Sequence, residues 1–297
     1  MMQRRDFLKT ASVAMAATPV VGQFSLNTQE APAPAAGTLP ILRSVKWGMV
    51  KAKTTLEKFQ IMKELGYDGL EAISPLGGIT IKELLEARDA TGVFIPGVVD
   101  MVHWRASHRL SSPDPKARAR GVAALKQAVQ DAYDMGGSSV LLVPGVVANK
   151  ETENHDQCWE RSTAEVKKVL PLCARLGIHI LMENVWNGFC YDPKQLAQYL
   201  DGFNSPWVGS YFDIGNHIKY SPSEHWVRTL GKRIIKCDVK DWGKKGGWSK
   251  IGDGDCNWPE VRRALAETGF TGWTTAEVRS GGPERMADVM ARMRRVL

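Results

Sequence analysis

The sequence predicts a parallel (β/α)₈ TIM barrel, and three observations carry that reading. From Ser44 onward, short runs rich in Val, Ile and Leu alternate eight times with amphipathic helical stretches. The runs are near-continuously apolar, the pattern of strands covered on both faces. Gly66, Gly92, Gly136, Gly177, Gly231 and Gly269 each stand just past a helical stretch, where a left-handed cap residue is wanted. Eight such units close naturally into a barrel. An open doubly wound sheet is disfavoured, because no run leads into a Gly-x-Gly-x-x-Gly turn.

In order, the first unit is a strand over 45–50 and a helix over 54–65. A strand over 69–73 leads to a helix over 80–91, and one over 93–99 to a long helix over 115–135. The fourth unit pairs 139–143 with a helix over 156–176, and the fifth pairs 178–183 with 193–200. The sixth pairs 207–213 with 223–230. The seventh strand, 234–239, reaches its helix over 259–268 through a Gly/Lys-rich loop, and the last unit is 272–278 followed by 283–296. The barrel is thus expected over 41–297.

Residues 1–36 read as an address and linker rather than as fold. Arg4-Arg5-Asp6-Phe7-Leu8-Lys9 followed by a mildly apolar stretch resembles a twin-arginine export signal, with Gln3 where Ser or Thr is usual. The stretch is too short for a stable membrane anchor. An exported, periplasmic location is the expectation.

Composition excludes other classes. The 39 Lys+Arg against 32 Asp+Glu give a formal charge of +7, but the basic residues form no continuous stripe with interleaved aromatics, so no nucleic-acid partner is expected. The five cysteines show no metal-ligand spacing, and an odd count argues against a disulfide framework. Cys158 and Cys173 fall on one expected helix, about four turns apart, and so cannot pair. A homo-oligomer is compatible with the sequence but not specified by it.

Function in such a barrel is read from the carboxyl ends of the strands. Strand five ends in Glu183-Asn184, strand six in Asp213-Ile214-Gly215-Asn216-His217, strand seven in Asp238-Val239-Lys240-Asp241 and strand eight in Glu277. Four carboxylates on one rim repel one another unless several are protonated or a cation neutralises them. Oxygen-rich ligation favours Mg²⁺ or Mn²⁺.

These segments, with Ile251-Gly252-Asp253-Gly254-Asp255, Trp258 and Gly269-Phe270-Thr271-Gly272-Trp273, resemble the xylose isomerase-like barrels that include sugar phosphate isomerases and epimerases. The resemblance implies metal ligands Glu183, Asp213 and Glu277. The family's fourth ligand is a His, and Asp238 stands at that position. Either Asp238 ligates, giving an all-carboxylate site, or His217 or a water completes the shell. The resemblance also implies an isomerase or epimerase that transfers a proton α to a carbonyl, with Glu183 and Glu277 as the catalytic pair.

Lys240 would steady the enolate oxygen or pair with Asp241. His103, Trp104, Trp186, Asn216 and His217 are the remaining expected substrate contacts, aromatic faces suiting sugar C–H surfaces. His179 opens its strand at the opposite rim. The added charge of Asp238 and the export signal both point to an uncharged carbohydrate substrate. A metal-dependent lyase acting by β-elimination on keto-sugars or oxidised glycosides is the rival enzyme, and a non-catalytic sugar-binding barrel the rival from another class. A trinuclear zinc nuclease is disfavoured, since six His are too few for its ligands.

Overall fold

The computed structural model describes residues 40–297, and the expected export signal lies outside the described residues. Eight strands close a parallel barrel: β1 (Leu42–Lys46), β2 (Gly69–Ser74), β3 (Val98–Asp100), β4 (Ser139–Leu142), β5 (His179–Glu183), β6 (Val208–Asp213), β7 (Ile234–Val239) and β10 (Trp273–Ala276). They pair in the order β1-β10-β7-β6-β5-β4-β3-β2. Around them run α1 (Thr55–Leu65), α2 (Ile81–Thr91), α3 (Pro115–Asp134), α4 (His155–Lys167), α5 (Leu170–Leu176), α6 (Pro193–Asp201), α7 (Ser223–Leu230), α8 (Trp258–Glu267) and α9 (Pro283–Val296). Between β7 and α8 a two-stranded antiparallel hairpin, β8 (Asp241–Gly243) with β9 (Gly247–Ser249), rises from the loop.

Local chemistry sets the helix boundaries. Thr80 and Glu83 form a reciprocal capping box at the start of α2, as Asn154 and Gln157 do for α4. Gly66 and Gly92 end α1 and α2 at φ of 75° and 72°, a conformation in which a Cβ would clash.

Three expectations need correction. The first strand lies at Leu42–Lys46, and Trp47–Met49 form a 3₁₀ turn, so Lys46 rather than Val50 ends the strand. The third strand shortens to Val98–Asp100 because Pro96 has no N–H to give a ladder. The helix expected over 156–176 is two, α4 and α5, broken at Lys168 and Val169. Pro171 cannot donate to the carbonyl four residues back, so a continuous helix would lose that bond and meet the proline ring. Cys158 and Cys173 therefore sit on different helices; both are buried and free.

The main apolar core lies between the barrel and its helices, where Phe59, Met62, Leu84, Leu125, Leu142, Trp226 and Met293 are fully buried. The barrel interior is different. Leu141, Leu181 and Tyr211 form a small separate apolar cluster, while Ser44, Lys46, Glu71, Lys236, Asp238 and Thr275 are buried in the strands around them. A polar barrel centre is costly unless its members satisfy one another, and apart from Asp238 Oδ2 they find partners. Lys46 Nζ bridges Glu71 Oε2 at 2.6 Å and Asp238 Oδ1 at 2.9 Å. The Tyr211 hydroxyl donates to Glu71 at 3.0 Å and meets Thr275, which in turn meets Ser44. Lys236 Nζ donates to the Pro96 carbonyl at 2.6 Å.

Candidate metal centre and active site

Parallel pairing places the acids on one rim. Asp213 and Asp238 are directly opposed in register, Glu183 opposes Tyr211, and the Glu277 amide donates to the Val239 carbonyl. Glu183, Asp213, Asp238 and Glu277 each offer a carboxylate oxygen within 4.8 Å of all the others. The first three are buried, and Glu277 is the outermost, its side chain 32% exposed.

Each acid is held by its neighbours. Asp213 Oδ1 accepts from the amides of Gly215 and Asn216 at 2.9 and 2.8 Å, while Oδ2 lies 2.8 Å from Lys240 Nζ. Asn184 locks the end of β6, its Oδ1 accepting from the Asp213 amide and its Nδ2 donating to the Asp213 carbonyl. Asn216 Nδ2 donates to Glu183 Oε1 at 3.2 Å and to the Asn184 carbonyl, and the Trp186 indole N–H donates to the Asn216 carbonyl. Lys240 also pairs with Glu277, so of its two expected roles the pairing with Asp241 is not the one realised. Asp241 instead accepts from the amides of Trp242, Gly252 and Cys256 and from the Trp258 indole.

The electrostatics follow from crowding. Burial, reinforced by the Glu277 charge, holds the Glu183 carboxyl well above the ordinary range. Burial likewise pushes Asp213 up to about 6 against the pull of Lys240, and lifts Asp238 well above its usual value despite Lys46. Burial opposes ionisation of Glu277 too, but Lys240 and Lys46 overcome it and bring its carboxyl below the ordinary range.

A cation fits this donor set. At about 2.1 Å per bond, opposite oxygens around Mg²⁺ stand about 4.2 Å apart, close to the observed spread. Counting Glu71, five carboxyl groups share the ammonium groups of Lys46 and Lys240, leaving negative charge uncompensated when all are ionised. Asp238 Oδ2 is buried with no hydrogen-bond partner among the described residues.

The structure distributes the expected substrate contacts unevenly. Trp104, Trp186, Asn216 and Lys240 line a cavity of about 250 Å³ together with Glu183, Glu277, Val185 and Trp248. His217 is buried behind Asn184, whose amide donates to its Nδ1 at 2.9 Å, and its ring lies 4.4 Å from that of Trp226; it is not among the grouped metal-ligating side chains. His103 is buried beside the Val143 amide, and burial depresses its pKa to about 3, so it stays neutral. His179 sits at the start of β5, as expected. Sequence reasoning missed Lys46 and Glu71, because their pairing across neighbouring strands and the reach of Lys46 to Asp238 are long-range contacts, and Trp248, because its loop gave no strand signal.

Comparison with known proteins agrees with this architecture. The profile of the xylose isomerase-like TIM barrel family matches residues 59–296. An L-ribulose-5-phosphate 3-epimerase of Escherichia coli O1:K1 is 25% identical over 252 residues, covering 80% of this chain and 87% of that protein. Among solved structures, the 3-keto-D-glucoside 4-epimerase YcjR of E. coli superposes with a TM-score of 0.72 at 14% identity, covering 86% of this chain and 98% of that one. The D-psicose 3-epimerase of Clostridium cellulolyticum H10, solved with D-tagatose, gives the same TM-score and coverage at 18% identity. The chain belongs to the xylose isomerase-like TIM barrel family.

Proposed function

We propose that the chain is a divalent-metal-dependent keto-sugar epimerase that moves the proton α to a carbonyl. The observation that carries this reading is the bracket of Glu183 on β5 and Glu277 beyond β10 around Asp213 and Asp238 on the intervening strands, all within 4.8 Å. The names of the sugar-epimerase relatives support it. A Mn²⁺ or Mg²⁺ held by the four carboxylates would polarise the substrate's carbonyl and neighbouring hydroxyl oxygens.

The chain's own residues supply the proton traffic. Glu277, kept ionised by Lys240 and Lys46, takes the α proton. Glu183, at the other end of the bracket from Glu277, returns one to the opposite face of the planar enediolate. Inversion at that carbon follows from using two groups instead of one. Lys240, between Asp213 and Glu277, brings an ammonium charge to the developing oxyanion.

The test is incubation of keto-sugars in D₂O with Mn²⁺, read by NMR. Deuterium should enter the carbon α to the carbonyl, with an epimer accumulating. Deuterium uptake with release of a substituent would mean β-elimination, the lyase outcome; absence of uptake across the ketoses tested would refute proton transfer. Export by the twin-arginine route is part of the same proposal, and replacing Arg4 and Arg5 by Lys should leave the protein in the cytoplasmic fraction.

A further inference from the structure

We propose that Trp104 and Trp248 form a second-ring subsite beside the carboxylates, so that the substrate is a keto-sugar carrying a neutral, ring-shaped substituent. This rests on the keto-sugar reading above and specifies its substrate class. Both indoles line the cavity that Glu183 and Glu277 line, and they are 51% and 52% exposed. Exposed indole surface at the mouth of a polar site is binding surface rather than core; on Trp248 it is the part left uncovered by Trp186 and by the Lys240 ammonium, which lies 4.9 Å from the ring centre.

Neither indole is loose. Trp248 stands opposite Trp242 across the β8–β9 hairpin and stacks on Trp186, with centroids 5.0 Å apart and planes 22° apart. The hairpin is tied down by Asp241, whose carboxylate accepts from the Gly252 amide and the Trp258 indole, and by Asp255, whose carboxylate accepts from the Lys244 amide at 2.7 Å. Trp104 stands edge-to-face on the buried ring of His103, 4.7 Å away. Rigid aromatics lose little entropy when a flat ligand settles on them.

Charge decides which substituent fits. A phosphate calls for an arginine fork, a free lysine or exposed backbone amides. Among the described residues the cavity wall carries one cation, Lys240, already paired with Asp213 and Glu277, against the carboxylates of Glu183 and Glu277; Lys219 lies outside the wall, its ammonium over the Trp186 ring at 4.6 Å. With no unpaired cation in that wall a phosphate gains no partner of its own there, whereas an uncharged pyranose face or aromatic ring meets indole.

The experiment compares ketoses that differ only at carbon 6: D-fructose, D-fructose 6-phosphate, 6-O-benzyl-D-fructose and isomaltulose, which carries a glucosyl group. Each is titrated calorimetrically into the whole protein with Mn²⁺. The ring-bearing ketoses should bind at least about tenfold tighter than D-fructose, and the phosphate no tighter. A gain with benzyl alone identifies an aromatic substituent, with glucosyl alone a sugar, and with both a shared stacking site. Trp248→Ala should remove most of the gain and Trp248→Phe retain it; Trp104→Ala should diminish it. Ring-bearing ketoses that bind no tighter than D-fructose, a gain that survives in the double alanine variant, or tighter binding of the phosphate would each overturn the subsite. Deuterium uptake in the same samples tests the reaction separately: a binding gain without uptake retains the subsite and refutes the epimerase.

Discussion

Lys46→Met is the most revealing single change in the barrel centre. Lys46 is buried between Glu71 at 2.6 Å and Asp238 at 2.9 Å, with its ammonium 4.4 Å from the centre of the Tyr211 ring. Methionine keeps the length and the contact with that ring, so the change isolates the charge. It strands two buried carboxyl groups, and removing one partner of a buried pair costs about 3–5 kcal/mol, a large share of a typical total of about 5–15 kcal/mol.

The sign of the pH dependence is fixed. Stranded carboxyls have folded pKa values above their unfolded ones, so their protonation stabilises the fold below those values, and that stability is lost as pH rises. The variant should therefore lose most stability at neutral pH and recover part of it near pH 5. Mn²⁺ should also stabilise the variant more than the wild type, because a cation then stands in for the ammonium. Urea denaturation followed by circular dichroism at both pH values, with and without Mn²⁺, reads all three effects. A loss under about 1 kcal/mol, or an equal loss at both pH values, would refute the reasoning.

Other perturbations address the rim. Glu277→Gln should lower deuterium uptake by about 10²–10⁴-fold and weaken Mn²⁺ binding, as read by NMR and calorimetry; wild-type turnover in that variant would exclude Glu277 as the base. Asp213, raised from 3.8 to about 6 by burial, contributes stability that is fully present below about pH 4 and lost as pH rises through about 6. The loss is about 3 kcal/mol, and a divalent cation should offset it. Mg²⁺ should accordingly raise Tm more at pH 7.5 than at pH 5, which thermal scans at the two values would check. Asp241→Asn puts an amide where four donors converge. It should cost about 1–3 kcal/mol and speed tryptic cleavage at Lys244 and Lys245 as the hairpin loosens.

The strand–helix alternation made the barrel legible, because strands covered on both faces are apolar throughout and helix ends carry capping residues. The four rim acids were legible for a related reason: an acid directly after an apolar run has one place to go in such a fold. What the sequence hid depends on register and long-range contact. The first strand ends at Lys46 instead of Val50, the Lys46 ammonium there meets Asp238, and nothing local to Leu42–Val50 specifies that end. The partner of Lys240 could be read only as a choice, since Asp241 is adjacent in sequence while Asp213 and Glu277 are adjacent in space. Trp248 was hidden because a three-residue strand among glycines and lysines carries no periodicity to detect. The break at Pro171, by contrast, was written in the sequence and outweighed by the amphipathic pattern around it.

On the proposed function, the four rim carboxylates bind one divalent cation. Crystals grown with Mn²⁺ and measured for anomalous scattering test it most directly. A single anomalous peak is expected about 2.1–2.2 Å from carboxylate oxygens of Glu183, Asp213, Asp238 and Glu277, with Lys46 still against Asp238. No peak among these residues at saturating Mn²⁺, or a peak elsewhere on the barrel, would contradict it.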